Sequence, residues 1–179
     1  MRPLILSGGP AAGKTTCGRI LAASCSRAAY IDADDVRQLV VSGGRTLWSG
    51  KEGEAQHELS AHNVVVLAQN FMGAGFDVVI ADFLTRESLA VYRAALPEAF
   101  VIQLKLPLNE ARRRSRTRTE YLTSGEFDLL HQRAAKNIAA DLVLDVTGMS
   151  IKDQSAAIQE VWKRNSIRDP DNDAWSMRT

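Results

Sequence analysis

Short apolar runs alternate along this chain with longer stretches of helical period. Residues 3–7 (PLILS), 28–32 (AAYID), 77–82 (DVVIAD), 100–104 (FVIQL) and 141–146 (DLVLDV) are strand-sized, and Gly, Pro, Asp or Asn flank them. They lack the clean alternation of polar and apolar positions shown by half-exposed strands, which predicts strands covered on both faces. The intervening segments predict helices over 14–24, 54–72 and 86–96, the last opened by Thr85 as N-cap. Thr123 followed by Glu126 has the spacing of a capping box and predicts a further helix over 124–140, with Phe127, Leu130 and Ala134 on one face. Ser150 and Asp153 repeat that signal more weakly before Ile151, Ile158, Val161 and Trp162, which predicts a closing helix. Strand and helix in alternation imply an α/β fold built on one mainly parallel five-stranded sheet.

The pattern runs without internal repeat or low-complexity tract, so residues 1–164 read as a single domain. Residues 165–179 carry Asp169-Pro170-Asp171 and Asn172-Asp173 and no apolar period, and they predict a frayed or surface-docked tail in which Trp175 and Met177 are the docking candidates. The 179 residues include 22 basic and 21 acidic side chains, a net charge of +1 that argues against a bulk polyanion binder. An apolar share of 45% and a charged share of 24% exclude an intrinsically disordered chain. No apolar run reaches the ~18 residues of a membrane span, and Gly8 interrupts the N-terminal run before a signal-peptide core is complete, so a cytoplasmic protein is expected. Cys17 and Cys25 fall on one predicted helix, roughly 12 Å apart along its axis, beyond disulfide reach; two buried thiols in a reducing compartment are expected.

The most specific signal is Gly8-Gly9-Pro10-Ala11-Ala12-Gly13-Lys14-Thr15, which follows a predicted strand, opens a predicted helix and satisfies G-x-x-x-x-G-K-[ST]. A loop that wraps phosphates turns its N–H groups inward, and Gly8 and Gly13 supply the backbone freedom for the turns. The helix N-terminus favours an anion, Lys14 reaches the β- and γ-phosphates, and the hydroxyl of Thr15 suits a magnesium ion. Residues 8–16, ending at Thr16, are therefore the expected cradle for ATP with Mg2+.

After the second strand, Asp32, Asp34 and Asp35 stand at a strand's carboxyl end, where α/β ligand crevices lie. Asp34 is the candidate base for an acceptor hydroxyl, and Asp32 a candidate partner of magnesium-bound water; a helix N-cap with acidic first-turn residues explains part of the same cluster. Asp82, at the end of the 77–82 strand, suits either magnesium or the acceptor substrate. Five arginines crowd residues 112–118 of an otherwise balanced chain. Such density calls for solvent or anions, and Arg112, Arg116 and Arg118 are candidates for the nucleotide and the transferring phosphate, with residues 117–125 as a flap; a solvated basic face or an RNA-binding patch is the alternative. The glycine-rich loop 42–56 places Arg45, Trp48 and Glu52 as acceptor-pocket candidates. His57 and His62, five apart, turn about 140° from one another on a helix, so no zinc site is expected.

Together, GGPAAGKT, IDADDVR, VVIADF and RRRSRTR resemble the small P-loop kinases, the group of chloramphenicol phosphotransferase, shikimate kinase, gluconate kinase and adenylylsulfate kinase. The resemblance spans 3–163 and implies strand order 2-3-1-4-5, helices on both faces and an arginine-rich lid over the nucleotide. It implies that Asp34 activates the acceptor, that Asp32 is the first Asp of a D-x-D pair, and that Arg37 and Arg133 lie on the substrate side. It further implies that Arg116 or Arg112 stacks on adenine and that Arg118 is the lid arginine.

The function expected from these residues is transfer of the γ-phosphoryl group of ATP to a hydroxyl of a small acceptor, an antibiotic or a metabolite, by a monomer or homodimer. A nucleotide-driven switch or ATPase is the alternative, although no N-K-x-D motif is present for guanine. A kinase of nucleic-acid ends rests on the arginines alone, so nucleic acid is disfavoured as a partner.

Overall fold

The computed structural model describes residues 1–116, 122–136 and 138–166. Five parallel strands form one sheet: β1 (Leu4–Gly8), β2 (Ala28–Asp32), β3 (Asp77–Ala81), β4 (Phe100–Lys105) and β5 (Leu142–Asp145). Their order is β2-β3-β1-β4-β5, as expected. β1 is central, with Leu4 opposite Val79 on one side and Phe100 on the other, and all five of its residues are buried. The helices are α1 (Lys14–Ala23), α2 (Ala33–Arg37), α3 (Gly50–Gly73), α4 (Arg86–Ala95), α5 (Leu108–Ser115), α6 (Ser124–Ala134) and α7 (Ile151–Ser166).

Successive strand side chains point to opposite faces, and the core divides accordingly. Ile5, Ile80 and Val101 face a cluster that holds Val64 and Ala68 of α3 and Leu89 and Tyr92 of α4. Leu4, Leu6, Val79 and Ile102 face a second cluster with Leu21 of α1, Phe127 of α6, and Ile158 and Trp162 of α7. Helices thus cover both faces of the sheet, but edge strand β5 is covered on one side only: Leu142 and Leu144 pack inward while Val143 and Asp145 are exposed, which corrects the expectation of five doubly covered strands. The sheet's carboxyl edge carries the loops that matter here: 9–13, the β2–α2 junction and the turn after β3.

Two helix boundaries and one cysteine differ from the sequence reading. α3 begins at Gly50 rather than at residue 54, so Glu52 is helical and the preceding loop is shorter. Its glycines read as loop because glycine is a poor helix former. Gly53, however, lies beneath the loop, where an added Cβ would stand 2.0 Å from the Thr46 carbonyl oxygen. Gln56 ties that loop down, accepting from Arg45 N at 2.7 Å and donating to Gly43 O at 3.0 Å. α6 ends at Ala134, not near 140, because the Gln103 side chain takes the carbonyls of Ala134 and Lys136 at 2.9 and 3.2 Å. Cys17 is buried, but Cys25 lies beyond α1 and is only partly covered, which corrects the expected pair of buried helical thiols. Among the described residues, no helix is long and apolar enough to cross a membrane. The expected tail docking of Trp175 and Met177 lies outside the described residues.

Candidate active site

The 9–13 loop joins β1 to α1, and Gly13 enters the helix in the left-handed region at φ 97°. No side chain caps α1 and its first turn holds no acid, and the helix dipole at this end favours an anion. Lys14 Nζ lies back over the loop and donates to Gly8 O at 2.8 Å and Gly9 O at 3.1 Å. From behind, Gln154 of α7 donates to Ala12 O at 2.7 Å. A Cβ on Gly13 would meet that same amide at 2.7 Å. Gln154 is fully buried. It is therefore a brace that fixes the loop from the core side.

β2 delivers Asp32 beside this loop. One of its oxygens caps α2 by accepting from Asp34 N at 3.1 Å. The other accepts from Thr15 Oγ1 at 3.1 Å and from the Tyr30 hydroxyl at 2.8 Å. Burial, followed by the neighbouring Asp32 charge, holds the Tyr30 hydroxyl well above its usual value, so Tyr30 remains a donor at neutral pH. Asp34 points from the first turn of α2 and accepts from Arg37 Nη2 at 2.5 Å. Arg37, expected on the substrate side, is thus held by the candidate base itself.

One cavity of about 410 Å³ brings these groups together. Pro10, Ala11, Lys14 and Thr15 of the loop and first turn line it together with Asp32, Asp34, Arg37, Trp48 and Asp82. Leu47, Phe83, Phe127 and Leu130 supply apolar wall. Asp82 is buried, and Tyr92 donates to one of its oxygens at 2.9 Å. Desolvation pushes the Asp82 carboxyl above its ordinary range, with His57 opposing and Asp34 adding to the rise. Gly8, Ala12, Gly13 and Thr16 shape the loop and the first turn without lining the cavity, and Gly9 faces a recess on the far side of Pro10 with His131 and Ala134.

Other candidates lie elsewhere. Arg133 lines a neighbouring recess with Arg86 and Lys136, which meets the main cavity at Leu47 and Phe83. Glu52 accepts from Gln56. The arginine run calls for solvent or anions, and for three of its members the chain itself supplies the anions. Glu110 accepts from Arg113 at 2.7 Å and Arg114 at 3.1 Å, and Asp128 of α6 accepts from Arg112 Nε at 3.2 Å and from Arg112 Nη2. Glu110 is held down at about 2 by those arginines, Arg113 first. Arg114 also donates to Val146 O and Met149 O, which ties α5 to the loop before α7. Arg116 is exposed at the end of α5, and Arg118 lies outside the described residues.

Sequence reasoning missed Gln154, Tyr30, Tyr92 and His57 as parts of this site. Gln154 had one signal, a polar residue on the apolar stripe of Ile151 and Ile158. His57 is 2% exposed, whereas His62 faces outward beside Glu58 at 4.0 Å. Among the described residues no group of three or more His, Cys, Asp or Glu could hold a metal. Thr15 and Asp32 nevertheless form an oxygen-only pair suited to a hard cation that keeps several waters.

No protein-family model and no curated protein sequence matches the chain. Solved structures do. A sugar kinase from Janibacter sp. HTCC2649 superposes with a TM-score of 0.72 over 93% of this chain and 96% of that one, at 15% identity. A gluconokinase from Sinorhizobium meliloti 1021 gives 0.65 over 92% and 97%, also at 15% identity. Shikimate kinase from Acinetobacter baumannii, in complex with shikimate, gives 0.59 over 94% and 97% at 22% identity. The chain has the fold of the small P-loop kinases. Within the P-loop kinase fold the cavity described above sits at the carboxyl edge of the sheet, beside central β1, where such sheets place their ligands.

Proposed function

We propose that the protein is an ATP-dependent small-molecule kinase that transfers the γ-phosphoryl group to an acceptor hydroxyl. One observation carries this reading: Lys14 and Thr15, the triphosphate end, and Asp34, a carboxylate with no core role, line the same cavity. The likeness to kinase structures at low identity supports the fold, and the reaction is argued from the residues.

In this reading the N–H groups at the start of α1 and the Lys14 ammonium take the β- and γ-phosphates, Lys14 exchanging its loop carbonyls for phosphate oxygens. Thr15 and Asp32 would hold a magnesium ion, which supplies neutralisation of phosphate charge when bound. Asp34 accepts a hydrogen bond from the acceptor hydroxyl and aims its oxygen at the γ-phosphorus. The bond from the γ-phosphorus to the bridging oxygen breaks, a bond to the acceptor oxygen forms, the acceptor proton passes to Asp34, and ADP leaves. Trp48 and Phe83 exclude water from the acceptor, which limits simple hydrolysis.

Two features disfavour the alternatives. Three of the five arginines that suggested nucleic acid are engaged by Glu110 and Asp128, and a carboxylate facing the phosphate loop is not needed by a switch. The test is transfer of labelled phosphate from ATP to a panel of antibiotics, sugars and nucleosides. Acceptor-dependent ADP release supports the reading, and release that no acceptor stimulates contradicts it.

A further inference from the structure

Asp82 is an anomaly among the cavity residues. It is 4% exposed; the Tyr92 hydroxyl donates to its Oδ2 at 2.9 Å, and the Phe83 backbone N–H also serves the carboxyl as a hydrogen-bond partner. Among the described residues its Oδ1 has none, nor has either ring nitrogen of buried His57 behind it. Buried polar atoms without partners are uncommon and costly, so this acceptor, enclosed just beneath the wall of a cavity that Asp82 lines, is one that a donor arriving with a ligand would satisfy.

The surrounding chemistry narrows that ligand. The cavity lining carries three carboxylates, Asp32, Asp34 and Asp82, against two cations, Lys14 and Arg37. Lys14 is turned to the phosphate loop and Arg37 to Asp34. Beyond the triphosphate end the cavity's own wall offers Trp48, Phe83 and acceptor oxygens, and its two described cations are already engaged; Arg86, Arg133 and Lys136 stand in the neighbouring recess, past Leu47 and Phe83. An acceptor with its own negative charge would meet carboxylates, whereas one rich in hydroxyl or ammonium donors would complete Asp82 and lay a carbon face on the aromatic rings.

We propose that Asp82 Oδ1 is a binding group of the acceptor subsite, taking a hydrogen bond from a second hydroxyl or an ammonium of the acceptor, and that the acceptor is a non-anionic polyol or amino-polyol. This rests on the kinase reading for the identity of the cavity's other occupant. Asp34 contacts the hydroxyl that reacts, and Asp82 contacts one that does not.

The Asp82→Asn variant tests this with little change of shape. The Tyr92 hydroxyl needs an acceptor, so the Asn carbonyl turns to Tyr92 and its NH2 faces the cavity, converting an acceptor wall into a donor wall. The full chain, with magnesium and a non-hydrolysable ATP analogue, is titrated calorimetrically with myo-inositol and 2-deoxystreptamine as non-anionic probes and with gluconate and shikimate as anionic ones. The expected result is that wild type binds a non-anionic probe at least about 10-fold more tightly than either anion, and that D82N loses about 10-fold or more of that affinity, as when a buried polar partner is removed. The variant is expected to melt no lower than wild type, because a buried carboxyl is replaced by a neutral isostere. Tighter binding of the anions, binding of none of the probes, or unchanged affinity in D82N would each overturn the proposal. Parallel ADP-release assays with ATP separate it from the kinase reading: the expected binding pattern without acceptor-stimulated turnover refutes the kinase and leaves the subsite standing.

Discussion

Arg37 Nη2 donates to Asp34 Oδ1 at 2.5 Å, one turn along α2, so the candidate base is oriented by its own helix. Asp34 is otherwise exposed, and a lone exposed carboxylate samples many rotamers. Removing the guanidinium in Arg37→Met is expected to lower kcat by about 10-fold while ATP affinity holds, since misplacing a reacting group by a fraction of an ångström is costly. Steady-state kinetics at saturating acceptor check this, and an unchanged kcat would show that Asp34 needs no such orientation.

Asp34 and Lys14 are expected to fail differently. Asp34→Asn should lower kcat by about 10²-fold or more, the usual worth of a positioned base, while a fluorescent ATP analogue still binds. Lys14→Ala removes the ammonium from the phosphate end and should lower transfer by ~10²–10³-fold together with nucleotide affinity. Equal loss of nucleotide binding in both variants would mean that Asp34 supports the phosphate loop instead of the acceptor.

Tyr30 donates to the same Asp32 oxygen that accepts from Thr15. Such outer partners commonly alter metal affinity by about 10-fold or more. Tyr30→Phe is therefore expected to raise the magnesium concentration for half-maximal activity about 10-fold, with little change in kcat at saturating magnesium. A magnesium titration of both proteins decides it.

Gln154 joins α7 to the phosphate loop through Ala12 O. Gln154→Leu keeps the volume but leaves that buried carbonyl unpartnered, at a cost of about 1–3 kcal/mol. Thermal unfolding should show the loss, and the KM for ATP should rise because the loop is no longer held in its cradle geometry. Loss of stability with an unaltered KM would limit Gln154 to packing.

Glu110 anchors the arginine-rich helix, and its carboxyl is held at about 2, chiefly by its hydrogen bond from Arg113. That value is below the ~4.3 of an unfolded glutamate, so between the two the unfolded chain binds more protons. The anchor's contribution is present above about pH 4.3 and is lost as pH falls through about 2. Melting temperatures of wild type and Glu110→Gln should therefore differ at pH 6 and converge toward pH 2. A difference independent of pH would mean that the carboxylate charge is not what stabilises the helix.

Much was legible along the chain because it depends on neighbours in sequence. The apolar runs of five strands, the N-cap at Thr85, the capping box at Thr123, and the glycines and lysine of residues 8–14 declare themselves through local backbone chemistry. The strand order came through resemblance, since no local rule ranks parallel strands. Long-range partners were not legible. That Glu110 and Asp128 absorb the arginines, that Gly53 nests under Thr46, and that Gln103 ends α6 each depend on residues brought together by packing.

By itself, then, the sequence determined a glycine-rich strand-to-helix loop on a parallel sheet with helices on both faces, because periodicity and turn chemistry are properties of short segments. Only the tertiary structure decided which polar groups share a cavity and which satisfy one another. Parallel β2, β3 and β1 set the ends at Asp32, Asp82 and Gly8 side by side, and burial then left one oxygen of Asp82 without a partner. Desolvation acts at a point in space, so its consequences become visible only once the chain has folded around that point.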